Sequence, residues 1–183
     1  MSDDPVLRRP FSRSPLPFTL GGRLYEVPYR SAADWLEVLE VTPVDGLFLA
    51  ALDSEQRWRV HDAMLDGEVR VRDLSPASYS LLKQVTGYER WWIGYRLAVA
   101  AFSPSLLGRL TLSGVRPQDV TLVQWCAATY ALLTRDASAE DRFKLDALLD
   151  VPLAGNDPGE AWDDMGMSAE DLEVMARALP GAR

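Results

Sequence analysis

Apolar residues return every three to four positions through most of this chain, the spacing that lays one stripe along a helix. In SAADWLEVLEV the residues Ala32, Trp35, Leu36 and Leu39 form such a stripe. Ser31, with Asp34 three residues on, is the capping arrangement that satisfies free amides at a helix start. A short helix is predicted after Pro43, through Leu47, Phe48 and Leu52. DSEQRWRVHDAMLDG predicts a third, capped by Asp53 or Ser54 and ended by a left-handed Gly67, with Trp58, His61 and Leu65 on one side. SPASYSLLKQVTG repeats the grammar, with Ser75 as cap, Pro76 in the first turn and Gly87 at the exit. Between these two, EVRVRDL alternates weakly and has few apolar residues, so a loop or an edge strand is expected there.

The stretch YERWWIGYRLAVAAF is apolar on nearly every side. Its uninterrupted part, Trp91 to Phe102, is far shorter than the roughly 20 residues that span a bilayer, and Arg96 falls in its middle. A helix of this kind is wrapped by other helices. Trp91, Tyr95, Ala98 and Phe102 share one face, Trp92 and Val99 another, and Gly94 permits a close backbone crossing, so the two tryptophans are expected to anchor different neighbours. Another short helical turn follows Ser103 and Pro104. PQDVTLVQWCAATYALLTR then places Val120, Val123, Ala127 and Tyr130 on one stripe and Leu122, Cys126 and Leu133 on the next, which makes Cys126 a small core residue. In SAEDRFKLDALLD, Ser138 and Asp141 repeat the cap and Phe143, Ala147 and Leu148 are expected to turn inward, with Val151 and Pro152 as the stop.

Ahead of the helices stands FTLGGRLYEVPY. Gly21 and Gly22 both tolerate positive φ, as a two-residue hairpin turn requires, and that register sets Phe18 opposite Tyr25 and Leu20 opposite Arg23. Phe18, Leu20, Tyr25 and Val27 then share a face. An isolated ribbon is marginal in water, so this face must lie on the helices behind it or against another subunit. The fold class read from these patterns is mainly α: a compact multi-helix domain with an N-terminal β-hairpin and a short C-terminal tail helix. Residues 1–17, with Pro5, Pro10, Pro15 and Pro17, read as a flexible Pro-rich arm, and residues 18–152 as the hairpin plus helical domain. Residues 153–183 read as an acidic linker followed by an amphipathic helix, SAEDLEVMARAL, whose Leu172, Met175, Ala176 and Leu179 recur at helical spacing. About twelve residues make a marginal helix alone, so it should dock, on its own body or in a partner.

Composition narrows the function classes. A formal charge of -8 opposes nucleic acid, whose phosphates are met by clustered Lys and Arg. Cys126 is the single cysteine, so no internal disulfide forms, and MSDDPVLRRPFSRSPLP lacks the apolar stretch of a secretory signal, which points to a cytoplasmic protein. One histidine and one cysteine cannot build a Cys and His zinc site, and a hydrolase dyad would need His61 and Cys126 to meet although helix packing already explains both. No GxSxG turn, no Gly-rich phosphate loop and no GxGxxG occurs. Asp163 and Asp164, beside Trp162, fall short of a calcium ligand set and read as a solvated linker. No catalytic residue, cofactor or metal is expected.

The order of a Pro-rich arm, FTLGGRLYEVP, SAADWLEVL, WWIGYRLA, GVRPQDVTLVQWCAATYALL and RFKLDALLDVP resembles the tail assembly chaperones of long-tailed, siphovirus-type phages of actinobacteria, over residues 18 to 152. The resemblance implies a non-catalytic protein of the host cell cytoplasm. Its partners would be the tape measure protein, which many copies keep soluble, and the tail tube protein, whose subunits they help recruit, with possible self-association but no nucleic acid and no membrane. It also implies a second, longer product made by ribosomal frameshifting near the end of the first reading frame. On this reading the hairpin face (Phe18, Leu20, Tyr25, Val27) and the tail helix (Leu172, Met175, Leu179) supply the adhesive surface. The alternatives are a structural virion protein, such as a head-tail connector or tail completion protein, and a peptide-binding adaptor domain.

Overall fold

The computed structural model describes residues 14–153. Among them the chain is mainly helical, with eight α-helices following one antiparallel hairpin. The hairpin is β1 (Leu16–Leu20) and β2 (Arg23–Val27). The helices are α1 (Ala32–Val41), α2 (Leu47–Ala51), α3 (Ser54–Leu65), α4 (Val71–Thr86), α5 (Trp91–Val99), α6 (Pro104–Leu112), α7 (Leu122–Thr134) and α8 (Ala139–Asp150).

The hairpin has the register expected from its glycines. Gly21 and Gly22 take φ of 58° and 76°, Phe18 faces Tyr25, and Leu20 faces Arg23. β1 starts inside the segment expected to be a loose arm: Leu16 pairs with Val27 and Pro17 with Glu26. The turn is pressed onto the loop between α3 and α4, so closely that a Cβ on Gly21 would lie 2.6 Å from Val69 Cγ2. Arg23 holds the contact by pairing with Asp66 and Glu68.

Caps explain most helix boundaries. Ser31 Oγ accepts from the Asp34 amide while Asp34 Oδ2 accepts from the Ser31 amide, and Asp53 caps α3 through the Gln56 amide at 2.8 Å. Gly67 and Gly87 close α3 and α4 with φ of 75° and 77°. α4 departs from the sequence reading. It begins at Val71 rather than at Ser75, and so absorbs most of the segment expected as loop or strand. Asp73 Oδ2 accepts from the Arg70 amide at 2.8 Å and starts the helix one turn early. Pro76 therefore sits in the second turn, where it forfeits one helical hydrogen bond. Ser78 is fully buried and ties α2 to α4: its Oγ accepts from the Phe48 amide and lies within bonding distance of Asp45 O.

α5 is the axle of the domain, in contact with α1, α4, α7 and α8. Trp91, Gly94, Arg96, Leu97 and Ala98 are buried, and Trp92, Ile93, Tyr95 and Val99 half-buried. Gly94 meets α4 so closely that a Cβ there would fall 2.1 Å from Thr86 Oγ1. Arg96 is 4% exposed; its Nη1 donates to the carbonyls of Leu148 at 2.8 Å and Leu149 at 3.2 Å, and also to that of Val151. A cation is thus set on the carbonyl end of α8, where the helix has acceptors without partners and a partial negative charge. Burial holds the Arg96 pKa below its ordinary value.

Candidate partner-binding surfaces

The hairpin face does not offer itself to a partner. Phe18, Tyr25 and Val27 are buried against the protein's own helices: the Phe18 and Phe48 rings lie 4.8 Å apart, and Tyr25 meets Phe48 edge-on at 6.1 Å. Leu20 is half-buried against the same core. Of the two options open to this ribbon, the domain takes the intramolecular one, because α2 presents Phe48 directly beneath it. That corrects the expectation that Phe18, Leu20, Tyr25 and Val27 form an adhesive surface. Arg59 closes over the site, its guanidinium 5.6 Å from the Tyr25 ring and its Nη2 donating to Leu24 O at 3.2 Å. Leu172, Met175 and Leu179, along with Asp163 and Asp164, lie outside the described residues.

His61 and Cys126 do not form a dyad. Cys126 is fully buried, its thiol donates to Gly94 O at 3.5 Å, and burial pushes its pKa well up, which suppresses the thiolate. His61 is exposed on α3, with the Trp58 ring edge-on at 5.5 Å. Among the described residues no group of three or more His, Cys, Asp or Glu could hold a metal ion, and no helix is long and apolar enough to cross a membrane.

Two surfaces carry what the core leaves out. The first is the outer face of α3. Trp58 is 66% exposed and Leu65 74%, while the residues α3 buries are Val60 and Ala63. The side that groups Trp58, His61 and Leu65 thus faces outward. Its inner face is narrow because the helix is held tight to its neighbours. The Arg57 guanidinium donates twice to Leu52 O, and Gln56 Oε1 accepts from the Glu26 amide. Leu49, Trp58, Val60, His61 and Met64 line a shallow groove of about 380 Å³.

The second surface runs beside α8. Leu145 and Leu149 are its buried residues, whereas Phe143 is 74% exposed, Ala147 is exposed and Leu148 is half-buried. The inward stripe expected at Phe143, Ala147 and Leu148 is therefore rotated. Arg96 ties the last carbonyls of α8 to α5, and Arg90 adds an ion pair to Asp150, so the end of the helix is held with Leu145 and Leu149 inward. Phe143 and Ala147 end up lining a groove of about 560 Å³ with Tyr88, Ile93 and Tyr130. Tyr130 donates to Asp146 at its rim at 2.7 Å, and burial pushes the Tyr88 pKa up to about 12. On α7 the stripe of Leu122, Cys126 and Leu133 is buried together with Trp125, which the sequence reading passed over, while Val120, Val123 and Tyr130 are only half-buried and Ala127 is exposed.

Compared with family models, with curated proteins and with solved structures, the chain has no match.

Proposed function

We propose that this protein is a tail assembly chaperone of a long-tailed bacteriophage. It binds the tape measure protein in the host cell cytoplasm without catalysing a reaction, and it helps recruit tail tube subunits. Two things support the reading: the resemblance of residues 18 to 152, and the outer face of α3. The latter observation carries it. A solvent-facing helix surface is ordinarily polar, yet this one displays a tryptophan and a leucine beside a groove. Each large apolar side chain that a partner covers contributes about 1.5–3 kcal/mol, so one such patch falls short of the cost of tight association. Many copies acting along one extended partner overcome that shortfall. A long protein with apolar stripes is such a partner, and the formal charge of -8 keeps the free chaperone dispersed.

Co-expression with the tape measure protein that this reading requires tests the proposal. The expected result is that the tape measure becomes soluble and co-purifies with this protein. A tape measure that stays insoluble and retains none of it ends the chaperone reading, and finding the protein in purified virions turns it toward a structural component.

A further inference from the structure

We propose that the groove beside α8 is the seat of the chain's own carboxy-terminal segment, residues 168–179, with Leu172, Met175 and Leu179 as its anchors. The inference is independent of the chaperone reading, which rests on α3.

The groove is built but unfilled by the described residues. Phe143, Ala147, Ile93, Tyr88 and Tyr130 line it. Of its two rim carboxylates, Asp150 is paired with Arg90 and Asp146 accepts a hydrogen bond from the Tyr130 hydroxyl, so each already has a partner at the groove's edge. Such a surface is completed by an amphipathic helix laid along it with anchors at i, i+3 and i+7.

The position of the tail selects the occupant. Leu149 and Asp150 border the groove, and the described chain ends at Leu153, three residues further on. Residues 154–167 then lead to SAEDLEVMARAL, a segment of the same twelve-residue length as α8, and at helical rise each spans about 18 Å. Fourteen linking residues reach up to about 50 Å when extended, more than a return along α8 requires.

Charge selects the direction. α8 begins with Glu140 and Asp141. The tail segment has Glu170 and Asp171 near its start and Arg177 near its end. Running antiparallel to α8, it sets Arg177 toward Glu140 and Asp141; a parallel run would set Glu170 and Asp171 against those two carboxylates. Opposed helix dipoles favour the same antiparallel arrangement.

Paired cysteines in the full chain test the placement. Ala147 is exposed, so Ala147→Cys leaves the core intact, and Cys126 is too deeply buried to compete. With Met175→Cys on the same chain, mild oxidation is expected to close a disulfide within single chains. The matching pair of Met64→Cys in the α3 groove with Met175→Cys is expected to stay open. Preferential closure to Met64→Cys, disulfides formed only between two copies, or closure with neither position overturns the proposal. A second measurement needs no cysteine: Leu172→Asp with Leu179→Asp is expected to speed amide exchange along α8 by about tenfold in the full chain. Exchange rates that do not change also overturn it.

Discussion

Trp91 and Trp58 each stand on a short helix beside a second ring, yet Trp91 is 4% exposed and Trp58 66%. The Trp91 indole lies flat on Tyr79 at 4.5 Å and 3°, and the Tyr79 hydroxyl donates to Asp45. Trp58 meets only the edge of His61 from within its own helix. Local pattern does not separate the two cases, since both residues sit on stripes of helical period. What differs is the opposite wall. α5 has four helices around it, and its own Gly94 lets one of them, α4, approach at backbone level. α3 has its neighbours on one side only and meets them through Val60, Ala63 and the arginines. An aromatic residue is buried where the topology brings something to bury it against, and left over where it does not.

The comparison predicts a graded series of mutational effects. Trp91→Ala removes the largest packed ring of the axle helix and should cost about 3–5 kcal/mol of stability. Urea unfolding followed by circular dichroism measures it, and a loss below about 1 kcal/mol would deny that α5 is the structural centre.

Arg96→Met comes next. It keeps much of the side-chain volume but leaves the carbonyls of Leu148, Leu149 and Val151 without their shared donor, at an expected cost of about 2–4 kcal/mol. The loss should be concentrated in α8, so hydrogen exchange there should accelerate more than in α7. Equal acceleration in both helices would mean that Arg96 supports the core generally and does not anchor α8.

Gly94→Ala probes the close approach of α5 and α4. The added methyl would lie 2.1 Å from Thr86 Oγ1, so the helices must part, at about 1–3 kcal/mol. Thr86→Ala in the same chain should return part of that loss. A double variant less stable than the sum of the two single changes would show that the strain lies elsewhere.

Legibility in the sequence followed the range of the interaction. The hairpin register, the caps at Ser31, Asp53 and Ser138 and the glycine exits at Gly67 and Gly87 were all readable, because each is decided within a few residues. The start of α4 escapes the reading for a local reason: Asp73, whose carboxylate accepts from the Arg70 amide, lies three residues before the Pro76 that draws attention. The inward faces of α3 and α8 were not readable. On α8 it is Leu145 and Leu149 that face the core, and the end of the helix is held by Arg96, which donates to Leu148 O from 52 residues away in the chain. The candidate site suffered the same way. A hairpin face of Phe18, Tyr25 and Val27 looks identical in sequence whether it meets Phe48 of its own domain or a second protein.

Trp58→Ser should have the smallest effect on stability and the clearest effect on binding. With two thirds of its surface in water, the Trp58 ring gains little from the fold, and replacing it should move the unfolding free energy by no more than about 0.5 kcal/mol. Serine leaves the Asp53 cap and the Arg57 bonds to Leu52 O in place, so α3 keeps its boundaries. If the α3 face is adhesive, the same change should sharply reduce the tape measure retained in co-expression, because removing one large aromatic anchor from a contact made in many copies weakens every copy at once. Leu65→Ser, about two turns further along the same face, should act in the same direction and less strongly. A Trp58→Ser protein that unfolds with a loss above about 2 kcal/mol would instead make Trp58 a structural residue like Trp91, and the contrast between the two helices would disappear.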